Sequence, residues 1–278
     1  MTYRIVSDSS CDIRALPGVD FVRVPLRIVT DAVEYVDDDR LDAEQMAAEL
    51  QRYKGRSSTA CPNVDDWERA FGEADNVFAV TITSGLSGSC NAAVNATESY
   101  EAAHPGRQVC VIDSLSTGPE MVLTLEKLRD LIGQGKDFAA ITAEIAAYQN
   151  RTHLLFLLSS IQNLARNGRA SKLGADAVGL LGIRIYGQAS PEGKLDVLGK
   201  CRGERTALDR LVQQMERQGW QGGKVRIAHC QNKPGAERLR GLLLRKYPGT
   251  EIQIYPTGGL CSFYAEQGGI MVGYESEK

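Results

Sequence analysis

Several features of the chain are thin or missing, and each gap removes a class of protein. Its seven cysteines, at 11, 61, 90, 110, 201, 230 and 261, are odd in number and contain no C-x-x-C. That excludes a disulfide scaffold and points to buried, reduced thiols. Only His229-Cys230 sets the two common metal-ligand types side by side, so no metal site is expected. No apolar run approaches the roughly 20 residues that cross a bilayer, which argues against stable membrane insertion. The opening MTYRIVSDSS has no apolar signal-peptide core, and a cytoplasmic chain is expected. The formal charge of −3 offers no general grip on nucleic acid.

What remains is a chain of 278 residues with 43% hydrophobic content, enough for one large or two ordinary buried cores. Tyr3-Arg4-Ile5-Val6 reads as a first strand. Phe21 to Val29 alternates apolar and basic residues and reads as one strand, with Pro25 making it an edge or a bulge. Asp42 with Gln45 and Asn63 with Asp66 are helix-start signals ahead of apolar residues at helical spacing. Val77 to Ile82 is a strand, Ser89 to Ala103 a helix, and Gln108 to Ile112 a strand. Two further helices lead to the apolar run His153 to Leu158, expected to be a strand buried on both faces. After it, Ile183 to Gln188 and Leu195 to Gly199 flank the turn Ser190-Pro191-Glu192-Gly193. The expected fold is α/β with two α/β domains. Residues 1–158 form an N-terminal parallel sheet flanked by helices, and residues 159–278 a C-terminal mixed sheet with helices.

The stretch Ile82-Thr83-Ser84-Gly85-Leu86-Ser87-Gly88-Ser89-Cys90 joins a strand to a helix through small and hydroxyl residues. Free amides at a helix start, with the partial positive charge there, make an anion site at the carboxyl edge of a parallel sheet. A P-loop is excluded, because no lysine occurs between Asp75 and Lys127. A nucleophile elbow needs G-x-S-x-G, and here Ser89 stands where the last glycine belongs. Ser87 as a hydrolase nucleophile would need a base from His104, His153 or His229. The plain alternative is that Ser87 or Ser89 merely caps the helix.

Taken together, the motifs resemble the DegV family of bacterial fatty-acid-binding proteins, nearly end to end. Ser7-Asp8-Ser9-Ser10-Cys11-Asp12 is similar to its opening segment, and Ser58-Thr59-Ala60-Cys61-Pro62 to its T-S-x-P-S loop. Thr83 to Ser89 resembles its S-S-G-L-S-G-T segment, and Val111-Ile112-Asp113-Ser114 its V-x-D-S strand end. Asn167-Gly168-Arg169-Ala170-Ser171-Lys172 and Lys200-Cys201-Arg202 resemble its later basic motifs. The resemblance implies a long-chain fatty acid, such as palmitate, stearate or oleate, held between two domains without a cofactor. It implies that Thr59 and Ser87 bind the carboxylate, supported by Ser84, Gly88 and backbone amides. It also implies a non-catalytic role: the acid is presented to a separate fatty acid kinase, with Arg169 and Arg202 as contacts to that partner or to the acyl phosphate.

The pattern is broken in two places. Ala60 and Asn63 replace usual serines, and the family's C-terminal histidine segment reads Phe263-Tyr264-Ala265-Glu266-Gln267 here. An anionic Glu266 in the pocket would repel a carboxylate, while Tyr264 could supply the missing donor. A regulatory protein that no longer binds lipid is the third reading. Candidate walls for the acyl chain are Ile161 to Leu164, Leu173 to Leu181, Leu260 and Phe263, with Gly179 and Gly182 leaving room beside Leu180-Leu181.

Overall fold

The computed structural model describes residues 1–170 and 182–277. In chain order the first part contains β1 (Tyr3–Asp8), β2 (Asp20–Val24), β3 (Arg27–Thr30), β4 (Glu34–Val36), α1 (Ala43–Arg52), β5 (Ser57–Ala60) and α2 (Val64–Phe71). Next come β6 (Asn76–Thr81), α3 (Ser89–Ala103), β7 (Gln108–Asp113), α4 (Pro119–Gly133) and α5 (Phe138–Gln149). The rest contains β8 (Thr152–Leu158), α6 (Gln162–Arg166), β9 (Ile183–Ala189), β10 (Leu195–Arg202), α7 (Glu204–Arg217), β11 (Val225–His229), α8 (Lys233–Lys246), β12 (Ile252–Pro256), α9 (Gly259–Ala265) and β13 (Ile270–Glu275). The wall candidates Leu173 to Leu181, with Gly179, lie outside the described residues.

Strands β2-β1-β6-β7 form a parallel sheet. Its central strands are apolar on both faces, as sheets covered by helices require. Phe78 and Val80 face α4 and α5, packing with Met121, Leu125, Leu128, Ile141 and Ile145. Val77 and Ala79 face α2 and α3, against Trp67, Phe71, Ala93 and Ala96. The parallel register brings Asp8, Thr81 and Asp113 to one edge, so the segments that follow them gather there.

The second sheet, β10-β9-β8-β13-β11-β12, is mixed, with β11 and β12 its parallel pair. The buried run read as part of the first domain is β8, and it pairs antiparallel with β13 and β9 of this second sheet. Helices α7 and α8 cover its outer face. Helix α4 lies between the two sheets and packs on β13, β11 and β8 as well as on β1 and β6. Gly273 permits that approach, since a Cβ there would stand 2.5 Å from the backbone of Pro119 and Glu120.

A third, antiparallel sheet, β4-β3-β5, was not legible as such in the sequence. The single strand expected over Phe21 to Val29 is broken at Pro25-Leu26 into β2 and β3, which belong to different sheets. Proline has no amide to continue a ladder, and the Leu26 amide leaves it to donate to Ser9 Oγ at 3.0 Å. The expected helix starts are present: Asp42 accepts from the Gln45 amide at 2.9 Å, and Asn63 and Asp66 form a reciprocal capping box.

One buried ion pair locks α4 to the second sheet. Arg226 of β11, 1% exposed, donates two bonds to Glu126 of α4, at 2.9 and 2.6 Å, and one to Glu251 at 2.5 Å. Removing Glu126 takes two of the three carboxylate bonds and leaves Arg226 only the exposed Glu251, so the cost falls below the roughly 3–5 kcal/mol of a buried charge with no partner. Glu126→Leu is therefore expected to lower the urea-unfolding free energy by about 2–3 kcal/mol, and Glu126→Leu with Arg226→Met by much less. Equal losses in the single and double variants would contradict this reading.

Candidate functional site

Asp8, the last residue of β1, is fully buried and organises the carboxyl edge of the parallel sheet. Its Oδ2 accepts from the Ile82 amide at 2.9 Å and from Ser89 Oγ at 2.6 Å. Its Oδ1 accepts from the Ser10 amide at 3.3 Å and from the Ser10 hydroxyl. Burial raises the pKa of this carboxyl, while the Ser10 and Ser89 hydroxyls and the Ile82 amide pull it back. One side chain thus fixes the turn after β1, the start of the Gly/Ser loop and the start of α3.

Two more anchors hold that loop. Asp113, at the end of β7, accepts from the amides of Ser84 at 3.1 Å and Leu115 at 3.0 Å. Thr83 Oγ1 donates to the Gly193 carbonyl at 2.8 Å, joining the loop to the tip of the β9–β10 hairpin. Gly193 has φ +67°, and a Cβ there would fall 1.9 Å from Thr83 Oγ1, so only glycine permits the contact. Helix α3 starts after Gly88 with no side-chain cap bond from that residue. Ser87 Oγ accepts from the Ser89 amide at 3.2 Å, which meets part of the capping alternative, while the Ser89 hydroxyl is spent on Asp8.

Beside this loop lies a cavity of about 310 Å³, within the range of small-molecule sites. Leu154, Phe156 and Leu158 of β8 form one wall by the alternation of a strand, with Met271 next to them on β13. Leu260, Cys261, Tyr264 and Ala265 line it from one face of α9. Of the wall candidates, Leu164 and Leu260 reach the cavity, while Phe263 turns to Ile28 and Met46 and Ile161 packs in the core.

Five polar positions of the lining are Thr59, Ser87, Gly88, Arg169 and Tyr264; Thr117 also lines it, with its Oγ1 3.5 Å from Cys261 Sγ. Thr59 Oγ1 and Tyr264 Oη are 2.8 Å apart. The Arg169 guanidinium lies 5.5 Å from the Tyr264 ring centroid, and its Nε donates to the Leu86 carbonyl at 3.1 Å. Burial raises the Tyr264 hydroxyl pKa, and contacts with Thr59 and Arg169 pull it down. Among the described residues the lining contains one cation and no carboxylate.

The remaining expected residues fall elsewhere. Ser84 is exposed and lies outside the lining. Arg169, expected as a contact to a partner, stands in the cavity wall, whereas Arg202 is exposed at the end of β10, an edge strand. Glu266 is directed at α6, where its Oε1 accepts from the Asn163 amide at 3.0 Å, so the feared repulsion in the pocket is not built. The histidines are also remote. His104 Nδ1 contacts the Tyr100 carbonyl at 2.9 Å, His153 Nε2 contacts Ser276 Oγ at 2.8 Å, and His229 is buried at the end of β11. None lines the cavity or bonds to Ser87, so the nucleophile reading has no base.

Two acids had no role assigned in the sequence. Asp37 accepts from the amides of Gly259 and Leu260 at 2.8 and 2.9 Å, and Asp12 from that of Gly258 at 2.8 Å. They hold the start of α9, and burial pushes the Asp12 carboxyl up to about 8. All seven cysteines are free, and Cys61 and Cys261 line the cavity.

Fold and site define a class: an α/β protein whose parallel and mixed sheets enclose an amphipathic cavity. The chain belongs to the DegV family, whose sequence model matches residues 2–277. A DegV domain-containing protein of Streptococcus pneumoniae is 44% identical over 99% of both chains. Among solved structures, a DegV family protein of Eubacterium eligens loaded with heptadecanoic acid is 45% identical, with a TM-score of 0.97, over 99% of this chain and 100% of that one. The fatty acid kinase B3 protein of S. pneumoniae, loaded with linoleic acid, is 44% identical with a TM-score of 0.97, and both chains are covered in full.

Asp8→Ala would leave the Ile82 amide and the Ser10 and Ser89 hydroxyls without their acceptor. At about 1–3 kcal/mol per stranded buried group, it is expected to cost several kcal/mol in denaturant unfolding. A loss below about 1 kcal/mol would show that the loop holds without this anchor.

Proposed function

We propose that the chain binds a long-chain fatty acid in this cavity and presents its carboxylate to a separate fatty acid kinase. The observation that carries the reading is the composition of the lining: mainly apolar, with the donors Thr59, Ser87, Gly88, Arg169 and Tyr264, and among the described residues a single cation and no acid. In this reading Thr59, Ser87 and the Gly88 amide hold the carboxylate at the start of α3. Tyr264 takes the place of the family's histidine, and Arg169 balances the charge. The similar E. eligens and S. pneumoniae proteins carry heptadecanoic and linoleic acid, which supports an acyl ligand, and the latter is a fatty acid kinase protein, which supports the partner. A role in binding rather than catalysis agrees with Ser87 having no histidine in reach. The lobes that close on the acyl chain would be built on the parallel sheet and on the mixed sheet that begins with β8.

Thr59→Val combined with Ser87→Ala is expected to lower affinity for oleate by at least about tenfold, equal to ~1.4 kcal/mol, with the thermal transition of the ligand-free protein kept within a few degrees. Fluorescent fatty-acid displacement measures the first and calorimetry the second. Unchanged affinity in a folded double variant would remove these residues from the site. Arg202→Glu is expected to keep oleate affinity and to abolish acyl-phosphate formation when the kinase and ATP are added. Loss of oleate binding in this variant would place Arg202 in the acyl site instead.

A further inference from the structure

A second cavity, of about 390 Å³, adjoins the polar end of the first. Three segments line it: Gly85 and Leu86 of the Gly/Ser loop, Asn167 to Arg169 after α6, and Lys194 with Leu195 at the start of β10. Leu86, Arg169 and Leu195 line both cavities, so the two meet beside the loop that carries Ser87. Their chemistry differs. The first is walled mainly by apolar side chains, whereas the second has two cations, Arg169 and Lys194, and no acid among the described residues.

The fold puts Lys194 there by design of the hairpin tip. Its side chain is exposed, but its backbone is fixed: the amide donates to Ser190 Oγ at 3.1 Å, and the carbonyl accepts from the Ser190 amide at 2.7 Å. Thr83 Oγ1 ties the tip to the Gly/Ser loop through the Gly193 carbonyl. Gly85 lets it seat, since a Cβ there would stand 2.8 and 2.9 Å from the carbonyl oxygens of Glu192 and Gly193. Arg169 is held from the other side, with Nε on the Leu86 carbonyl and Nη1 on the Asn167 carbonyl at 3.0 Å. Two like charges lining one recess repel each other, and an anion between them removes that cost.

We infer that this second cavity is the subsite for the phosphoryl group of the acyl phosphate, with Lys194 as its second cation. The inference rests on the fatty-acid reading and supplies a place for the group that the kinase adds. A bound carboxylate has a single negative charge, which Arg169 balances alone. In the transfer, a carboxylate oxygen attacks the γ-phosphorus of ATP held by the kinase. An O–P bond forms, the bond from that phosphorus to its bridging oxygen breaks, and ADP leaves with that oxygen. No proton moves, and the acyl ligand now carries a charge of about −2. The dianion cannot enter the apolar walls without a large desolvation cost. The adjoining recess takes it: the guanidinium matches its oxygens in pairs, and the lysine adds a point charge.

The test compares two ligands of the full-length protein by displacement of a fluorescent fatty acid. One is oleate, and the other is a hydrolysis-resistant phosphonate analogue of oleoyl phosphate. Lys194→Gln is expected to weaken the phosphonate by at least about fivefold and to leave oleate affinity unchanged, and Lys194→Arg to restore most of the loss. Arg166→Gln removes an exposed cation of α6 that lies outside both linings, and is expected to change neither affinity. Unchanged phosphonate affinity in Lys194→Gln, or equal weakening of both ligands, would overturn the subsite. An equal loss of phosphonate affinity in Arg166→Gln would also overturn it, by showing a diffuse effect of charge. Wild-type protein that binds oleate but not the phosphonate would refute the subsite alone, whereas protein that binds neither would refute the fatty-acid reading beneath it.

Discussion

One buried carboxylate holds together the three segments from which the site is made. Asp8 bonds the turn that follows β1, the first amide of the Gly/Ser loop and the first hydroxyl of α3. Without it, the start of the Gly/Ser loop and the start of α3 would lose their common acceptor on β1. Of the two other anchors, Asp113 ties the loop to β7 of the same sheet, and the Thr83–Gly193 contact sets it against the hairpin of the second. A cavity shared by both sheets can have a fixed polar mouth only because these contacts converge on one short segment.

Affinity and direction come from different parts of such a site. About fifteen buried methylenes contribute ~12 kcal/mol gross at ~0.8 kcal/mol each. Association costs ~4–15 kcal/mol in lost freedom, and a helix start contributes only ~0.3–2 kcal/mol to an anion. In the proposed reading the apolar walls would set how tightly a ligand binds, and the hydroxyls and Arg169 would set which way round it lies. That no carboxylate lines the cavity among the described residues matters for the same reason: Glu266, close in sequence, spends its charge on the Asn163 amide instead.

The parallel sheet was legible because Val77 to Val80 and its neighbours are apolar on both faces and are followed by strong helix patterns. The helix starts at Asp42 and Asn63 were legible from local side-chain chemistry. Strands β4 and β5 were not, being short and, in β5, made of Ser, Ser, Thr and Ala, with no apolar alternation to read. The break at Pro25 was half visible: proline marked an irregularity, but the change of sheet depends on Ser9, far away in sequence. Strand β8 was recognised, yet its membership was not, because an uninterrupted apolar run does not say which sheet it enters. Thr59, Ser87 and Gly88, singled out by motifs, line the cavity. The place of Arg169 beside Tyr264 depends on packing between α9 and the segment after α6, which no local pattern encodes.

The most direct test of the account is a crystal structure of the protein purified, without added lipid, from cells grown on a mixture of fatty acids. The account predicts acyl-chain density between β8, β13 and α9, with its carboxylate within hydrogen-bonding distance of Thr59 and Ser87. A water-filled cavity, or a chain whose carboxylate lies away from the start of α3, would contradict it.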